Sequence, residues 1–128
     1  MDYVTDTHSL VWYFTDDSRL GSNALKAFQT SETEGTVFVP AVVLAEIMFI
    51  ARKGRITLSF DDTLKRIEES DNFEIAPLNT EILRAANKIE AELEMHDRLI
   101  AATALHHEAS LITKDDILLK SGIVQTVW

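Results

Sequence analysis

Four carboxylates define the chemistry open to this sequence: Asp6, Glu46, Asp97 and Asp115. Three have local explanations. Asp6 follows the apolar stretch Tyr3–Thr5 and suits an Asx-turn. Asp97 opens a helical run, where it would cap the helix or meet its dipole. Asp115 suits a cap on the turn into "DILLK". Glu46 is different, because it is the single charged residue in "VFVPAVVLAEIMFIA", Val37 to Ala51. An ionised carboxylate removed from water needs a basic side chain, a proton or a metal to compensate it. Taken together, clustered carboxylates raise one another's pKa values unless a cation is bound. Hard oxygen ligands without Cys or clustered His suit Mg²⁺ or Mn²⁺. Such an ion activates water and stabilises charge on a phosphate oxygen, which is the chemistry of phosphodiester hydrolysis.

Other chemistries lack their parts. The chain has no cysteine, so disulfides, thiolate metal sites and Cys nucleophiles are excluded. There is no H-E-x-x-H, G-x-S-x-G, P-loop or G-x-G-x-x-G. His106 and His107 are adjacent on a helical run and point in different directions. His8 and His96 each stand alone in their motifs, and all four histidines read as structural or surface residues. The net charge of −9, from 12 basic and 21 acidic residues, argues against sequence-independent nucleic-acid binding over a broad surface. It leaves room for a small site where a cation meets a phosphate, and it suits a basic protein partner. Arg52, Lys53 and Arg55 follow the Glu46 helix, either as a solvated helix end or as contacts to RNA phosphates or a partner. Trp12 and Trp128 read as core or interface residues.

These residues must be positioned by a chain of 128 residues that is 46% hydrophobic, which predicts a single domain over 1–128. "YVTD", "TVFV", "FEIAPL", "SLIT" and "IVQTVW" read as strands. Helical runs alternate with them. "THSLVWYF" follows the first strand, and "LGSNALKAFQT" has Ser22 as its N-cap and Ala24, Leu25 and Phe28 on one face. A helix runs from about Ala41 to Ala51, with Pro40 at its start and Gly54 ending it. "SFDDTLKRIEES" is amphipathic. "NTEILRAANKIEAELE" reads as one helix with Ile82, Leu83, Ala86, Ile89 and Leu93 on its buried face. "HDRLIAATALHHEA" is buried along Leu99, Ala102 and Leu105. Short apolar strands alternating with helices predict an α/β fold with a parallel sheet. In such sheets ligands bind beyond the carboxyl ends of the strands, where Asp6 and Asp115 fall. The Val37–Ala51 run is shorter than the roughly 20 apolar residues needed to span a bilayer. The N-terminal stretch lacks the basic region of a signal peptide, so the expected location is the cytoplasm.

The stretch "VTDTHSLVWYF" resembles the opening of PIN-domain ribonucleases, and in particular the VapC-type toxins of toxin–antitoxin pairs. "FVPAVVLAEI" resembles the family's second motif, with its glutamate on Glu46. "HDRLIAATAL" resembles the third, with its aspartate on Asp97, and "LITKD" the fourth, with its aspartate on Asp115. The resemblance spans essentially the whole chain. It implies a three-layer α/β/α sandwich around a parallel sheet of about four to five strands. It further implies a Mg²⁺-dependent endoribonuclease, Mn²⁺ being the alternative ion, that is usually a homodimer. The implied partner is an antitoxin whose basic C-terminal segment covers the acids. Asp6, Glu46 and Asp97 would hold the metal directly or through water. Asp115 would complete the pocket and orient a water or a second metal. Thr113 would orient Asp115 or Asp6 through its hydroxyl, and Asp116 would contribute through water. Where the family often has Ser or Thr at the start of the second motif, this chain has Pro40-Ala41. Two other readings stay open: a PIN fold without activity that only binds a partner, and a metal-dependent phosphatase or nuclease acting on another substrate.

Overall fold

A computed structural model describes residues 1–128. The elements run β1 (Tyr3–Thr5), α1 (Thr7–Phe14), α2 (Ser22–Glu34), β2 (Val37–Pro40), α3 (Ala41–Arg52), α4 (Phe60–Glu69) and β3 (Phe73–Ala76). They continue with α5 (Thr80–Lys88), α6 (Met95–His106), β4 (Ser110–Ile112), α7 (Asp116–Ser121) and β5 (Thr126–Val127). All strand pairs are parallel, in the order β3-β2-β1-β4-β5. The steps β1→β2→β3 run one way across the sheet, and β4 then returns to the other side of β1. Right-handed crossovers place the helices of the two halves on opposite faces, giving the three-layer α/β/α sandwich. The reversal makes the gap between β1 and β4 the topological switch point of the sheet.

Burial explains why short strands suffice. Val4, Val37, Val39, Leu111 and Ile112 are fully buried, as strands covered on both faces require. Register follows: Thr5 pairs with Ile112 and Tyr3 with Val37. Beside the sheet, Leu10, Ile47, Ile100, Ala101 and Leu118 complete one continuous core. No helix is long and apolar enough to cross a membrane.

The ends and the buried faces of several helices depart from the sequence reading. Gly21, not Ser22, is the N-cap of α2, with no side-chain hydrogen bond there. The buried stripe of α2 is Ala24, Ala27, Phe28 and Ser31, which leaves Leu25 exposed. The helix read as extending from Asn79 to Glu94 stops at Lys88, so Ile89 is an extended C-cap that is still buried, and Leu83 is half exposed. The reason lies in a later element. The guanidinium of Arg98 donates to the carbonyls of Ala86, Ile89 and Ala91, gathering the end of α5 and the following turn. Arg98 therefore serves backbone oxygens and not a neighbouring acid. On α6, Leu105 is also exposed.

Gly54 ends α3 as expected. Its φ of +69° lets the Gly54 N–H donate to Ala51 and the Arg55 N–H donate to Ile50, a Schellman turn that folds Arg55 back along the helix end.

An aromatic cluster joins α1, α2 and β3. Tyr13 stacks on Phe28 with centroids 4.3 Å apart, and Phe14 meets Phe73 edge-on at 5.4 Å. The Tyr13 hydroxyl donates to Glu32, and burial together with that carboxylate pushes its pKa up to about 12. Arg66 of α4 lies 4.1 Å over the Phe14 ring and donates to the Phe14 carbonyl. Phe28 is fully buried at the centre of this cluster. Phe28→Ala is expected to cost about 3–5 kcal/mol of stability, read as a lower midpoint in urea unfolding with little change in slope.

Candidate active site

The carboxyl ends of β1 and β4 bring two of the four acids together across the switch point. Asp6 follows β1 and is held twice. Its backbone N–H donates to the Ile112 carbonyl of β4, and the Ser9 hydroxyl donates to the same carbonyl. Its carboxylate caps α1, with Oδ1 accepting from the Ser9 N–H at 3.0 Å, and Oδ2 accepts from the Thr113 hydroxyl at 2.6 Å. Thr113 is buried, and its oxygen also accepts from the Asp115 N–H at 3.1 Å. One hydroxyl thus ties the first acid to the backbone of the fourth. Asp115 in turn caps α7, with Oδ1 accepting from the N–H groups of Ile117 and Leu118. Its Oδ2 accepts no hydrogen bond from the protein.

The other two acids arrive on helices. Glu46 lies in the second turn of α3 and is half buried at the edge of the core. The Thr7 hydroxyl of α1 donates to Glu46 Oε1. Asp97 lies in the first turn of α6, but the cap of that helix is Glu94, whose Oε1 accepts from the N–H groups of His96 and Asp97. These donors, the Asp97 N–H foremost, lower the pKa of Glu94. The Asp97 carboxylate accepts no hydrogen bond from the protein. Its pKa is pushed up to about 6, first by burial and then by the charges of Asp115, Glu94, Asp6 and Glu46.

Asp6, Thr7, His8, Glu46, Glu94, His96, Asp97, Ile100 and Asp115 line one open pocket of about 260 Å³. All four sequence-predicted acids are in it. Thr113 lies behind Asp6, and Asp116 is exposed as the first residue of α7 and does not line the pocket. His8 and His96, read as structural or surface residues, are in the pocket wall. Thr7 and Glu94 escaped the sequence reading. Thr7 had a usable signal, since it directly follows Asp6 and faces inward at the start of a helix. Glu94 had none, because glutamate is not among the favoured N-cap types. No three histidine or carboxylate side chains come together closely enough, as they stand, to hold one ion between them. The donor set itself is all oxygen and imidazole, with unpartnered carboxylate oxygens on Glu46, Asp97 and Asp115, which is the chemistry a hard divalent cation selects.

The same architecture occurs in solved structures. VapBC2 from Rickettsia felis, bound to a DNA fragment of its promoter, aligns with a TM-score of 0.75 at 16% identity, over 98% of this chain and 97% of that one. A toxin–antitoxin complex from Klebsiella pneumoniae aligns with a TM-score of 0.63 at 22% identity, over 88% and 86%. VapC20 of Mycobacterium tuberculosis, a sarcin–ricin loop cleaving toxin, aligns with a TM-score of 0.67 at 14% identity, over the full length of both chains. At these identities the likeness is one of fold. No curated protein sequence matches significantly. The sequence model of the PIN domain matches residues 3–122. With that match over nearly all its length, and the acids at the switch point, the chain belongs to the PIN-domain family.

Proposed function

We propose that the protein is a Mg²⁺-dependent endoribonuclease, with Mn²⁺ as the alternative ion, acting as the toxin of a type II toxin–antitoxin pair. The observation that carries this reading is the meeting of Asp6, Glu46, Asp97 and Asp115, from four separate places in the chain, in one pocket at the switch point. Membership of the PIN family supports a nuclease. The likeness in fold to toxins solved with their antitoxins, and to one that cleaves the sarcin–ricin loop, supports the toxin role and an RNA substrate.

In this reading Asp6, Glu46 and Asp97 hold the cation directly or through water, and Asp115 completes the pocket. When bound, the cation supplies an activated water and neutralises charge on the scissile phosphate. The remaining residues orient these groups. Thr7 fixes Glu46, Thr113 fixes Asp6 and the turn carrying Asp115, and Glu94 fixes the start of α6. Asp116, being outside the pocket, acts only through water. The antitoxin places a basic C-terminal side chain among the acids, which the net charge of −9 and the crowded carboxylates favour. The active form is a homodimer of single-domain chains in the cytoplasm, and exposed apolar residues such as Phe49, Met95 and Ile117 offer surface for the second copy or the antitoxin.

Three outcomes test the reading. Purified protein free of antitoxin should cut a structured RNA pool in Mg²⁺ or Mn²⁺, and Asp97→Asn should lower the rate by roughly 100-fold or more with an unchanged circular dichroism spectrum. Metal-independent cleavage, or an active Asp97→Asn protein, contradicts it. Thr113→Val removes the link between Asp6 and Asp115 while keeping side-chain volume. It should lower metal affinity or cleavage by about 10- to 100-fold, measured by metal titration and initial rates. The third outcome concerns pH. The folded pKa of Asp97, about 6, lies above its ordinary 3.8. The folded chain therefore binds that proton more tightly than the unfolded chain. The ionised carboxylate is a destabilising charge above about pH 6, and the penalty vanishes below about pH 4, where both states are protonated. Asp97→Asn should thus stabilise the metal-free protein at pH 7.5 by on the order of 1–2 kcal/mol, after allowance for its partial exposure. The gain should disappear by about pH 4, as read by thermal unfolding across pH.

A further inference from the structure

A second concavity adjoins the acidic pocket. It has a volume of about 570 Å³ and shares His8 and Glu46 with the pocket as common walls. One side comes from α1 and the turn after it: His8, Val11, Trp12, Thr15, Asp17 and Arg19. The other comes from Ile50 of α3 and the segment Arg55–Thr57, folded back by the Schellman turn at Gly54. The wall contains three planar groups in series. The His8 and Trp12 rings are 5.7 Å apart, and the Arg19 guanidinium lies 4.9 Å over the Trp12 ring. Trp128 backs Trp12 edge-on at 5.9 Å, an approach that Gly21 permits, since a Cβ there would stand 2.7 Å from Trp128 Cδ1. The indole is thereby fixed in place.

The charges in this groove differ from those in the pocket. The charge of Arg19 is matched by Asp17 at 2.7 Å, so Arg19 contributes a flat surface and little net potential. Arg55 is exposed and pairs with no acid, and Arg52 and Lys53 precede it on the same helix end. A free cation, a wall of planar groups in which Arg19 lies over Trp12 and His8 is tilted beside it, and an apolar floor of Val11, Ile50 and Ile56 match a nucleotide in its three parts: phosphate, base and the edge of the sugar. Sequence-tolerant binding of single-stranded nucleic acid uses this combination. We propose that this groove binds the nucleotide adjoining the cleaved bond in a single-stranded stretch of RNA, with its base against Trp12 and Arg19 and its phosphate on Arg55. The proposal rests on the ribonuclease reading and deepens it, because a strand that places a phosphate among the acids must continue into a neighbouring space. An acidic peptide could use Arg55 but has no need of the planar wall, so RNA is the occupant the groove fits.

The test is binding of decauridylate and decaadenylate in Mg²⁺ by Asp97→Asn protein, which removes turnover, read by quenching of tryptophan fluorescence. Arg55→Gln should weaken binding at least 5-fold and reduce the slope of log affinity against log salt by about 0.7, the contribution of one single-strand phosphate contact. Trp12→Leu should abolish most of the quenching. Arg55 is exposed, so its variant folds even if Trp12→Leu does not, and thermal unfolding checks both. Cleavage by the Asp97-intact protein together with unchanged oligonucleotide binding in both variants leaves the ribonuclease reading standing and overturns the groove. Absence of both binding and cleavage overturns the groove along with the ribonuclease reading on which it rests.

Discussion

Repulsion between like charges is the constraint around which this molecule is built. Five carboxylates, those of Asp6, Glu46, Glu94, Asp97 and Asp115, line one small pocket. Left to themselves such groups separate or take up protons. Here the fold holds them by attaching most of them to backbone N–H groups. Asp6 caps α1, Glu94 caps α6 and Asp115 caps α7. Each cap stabilises a helix and aims its residue at the carboxyl edge of the sheet. Glu46 is held by a hydroxyl instead. Asp97 alone has neither cap nor donor, and it carries the raised pKa.

A helix-capping role and a place in the pocket coexist in Asp6 and Asp115. Asp6 gives Oδ1 to Ser9 and Oδ2 to Thr113, and Asp115 gives only Oδ1 to α7. A carboxylate has enough acceptor capacity to serve a helix end and a pocket together.

Much of this was legible in the sequence. Short β-rich runs alternating with amphipathic stretches specified the parallel sheet, and the turn glycine at Gly54 specified where α3 ends. The acids were legible because charge in apolar surroundings, or at a strand's carboxyl end, is rare enough to notice. What was not legible depends on contacts between distant segments. The end of α5 is set by Arg98, ten residues further on, whose role as a collector of carbonyls leaves no local mark. The cap of α6 falls to Glu94, a residue type with weak capping preference. The exposure of Leu25 follows from which stripe of α2 meets the sheet, a matter of packing and not of periodicity. The groove beside the acids was invisible for the same reason, since its walls are drawn from α1, α3 and the turns that follow them.

The sheet order has one more consequence, in the timing of synthesis. β1 lies at the centre of the sheet, yet one of its two partners is β4, and the hydroxyl that joins Thr113 to Asp6 spans 107 positions of sequence. Contacts this distant in sequence form late and slowly. A growing chain emerges from its N-terminus, so β1, β2 and β3 can associate while β4 is still unmade. In that interval the central strand has one bare edge, and Asp6 has neither the Ile112 carbonyl nor Thr113 to hold it. The acidic pocket cannot close around its contents until residue 115 has left the ribosome and β4 has docked. Any activity that resides there is withheld from the nascent chain by topology alone.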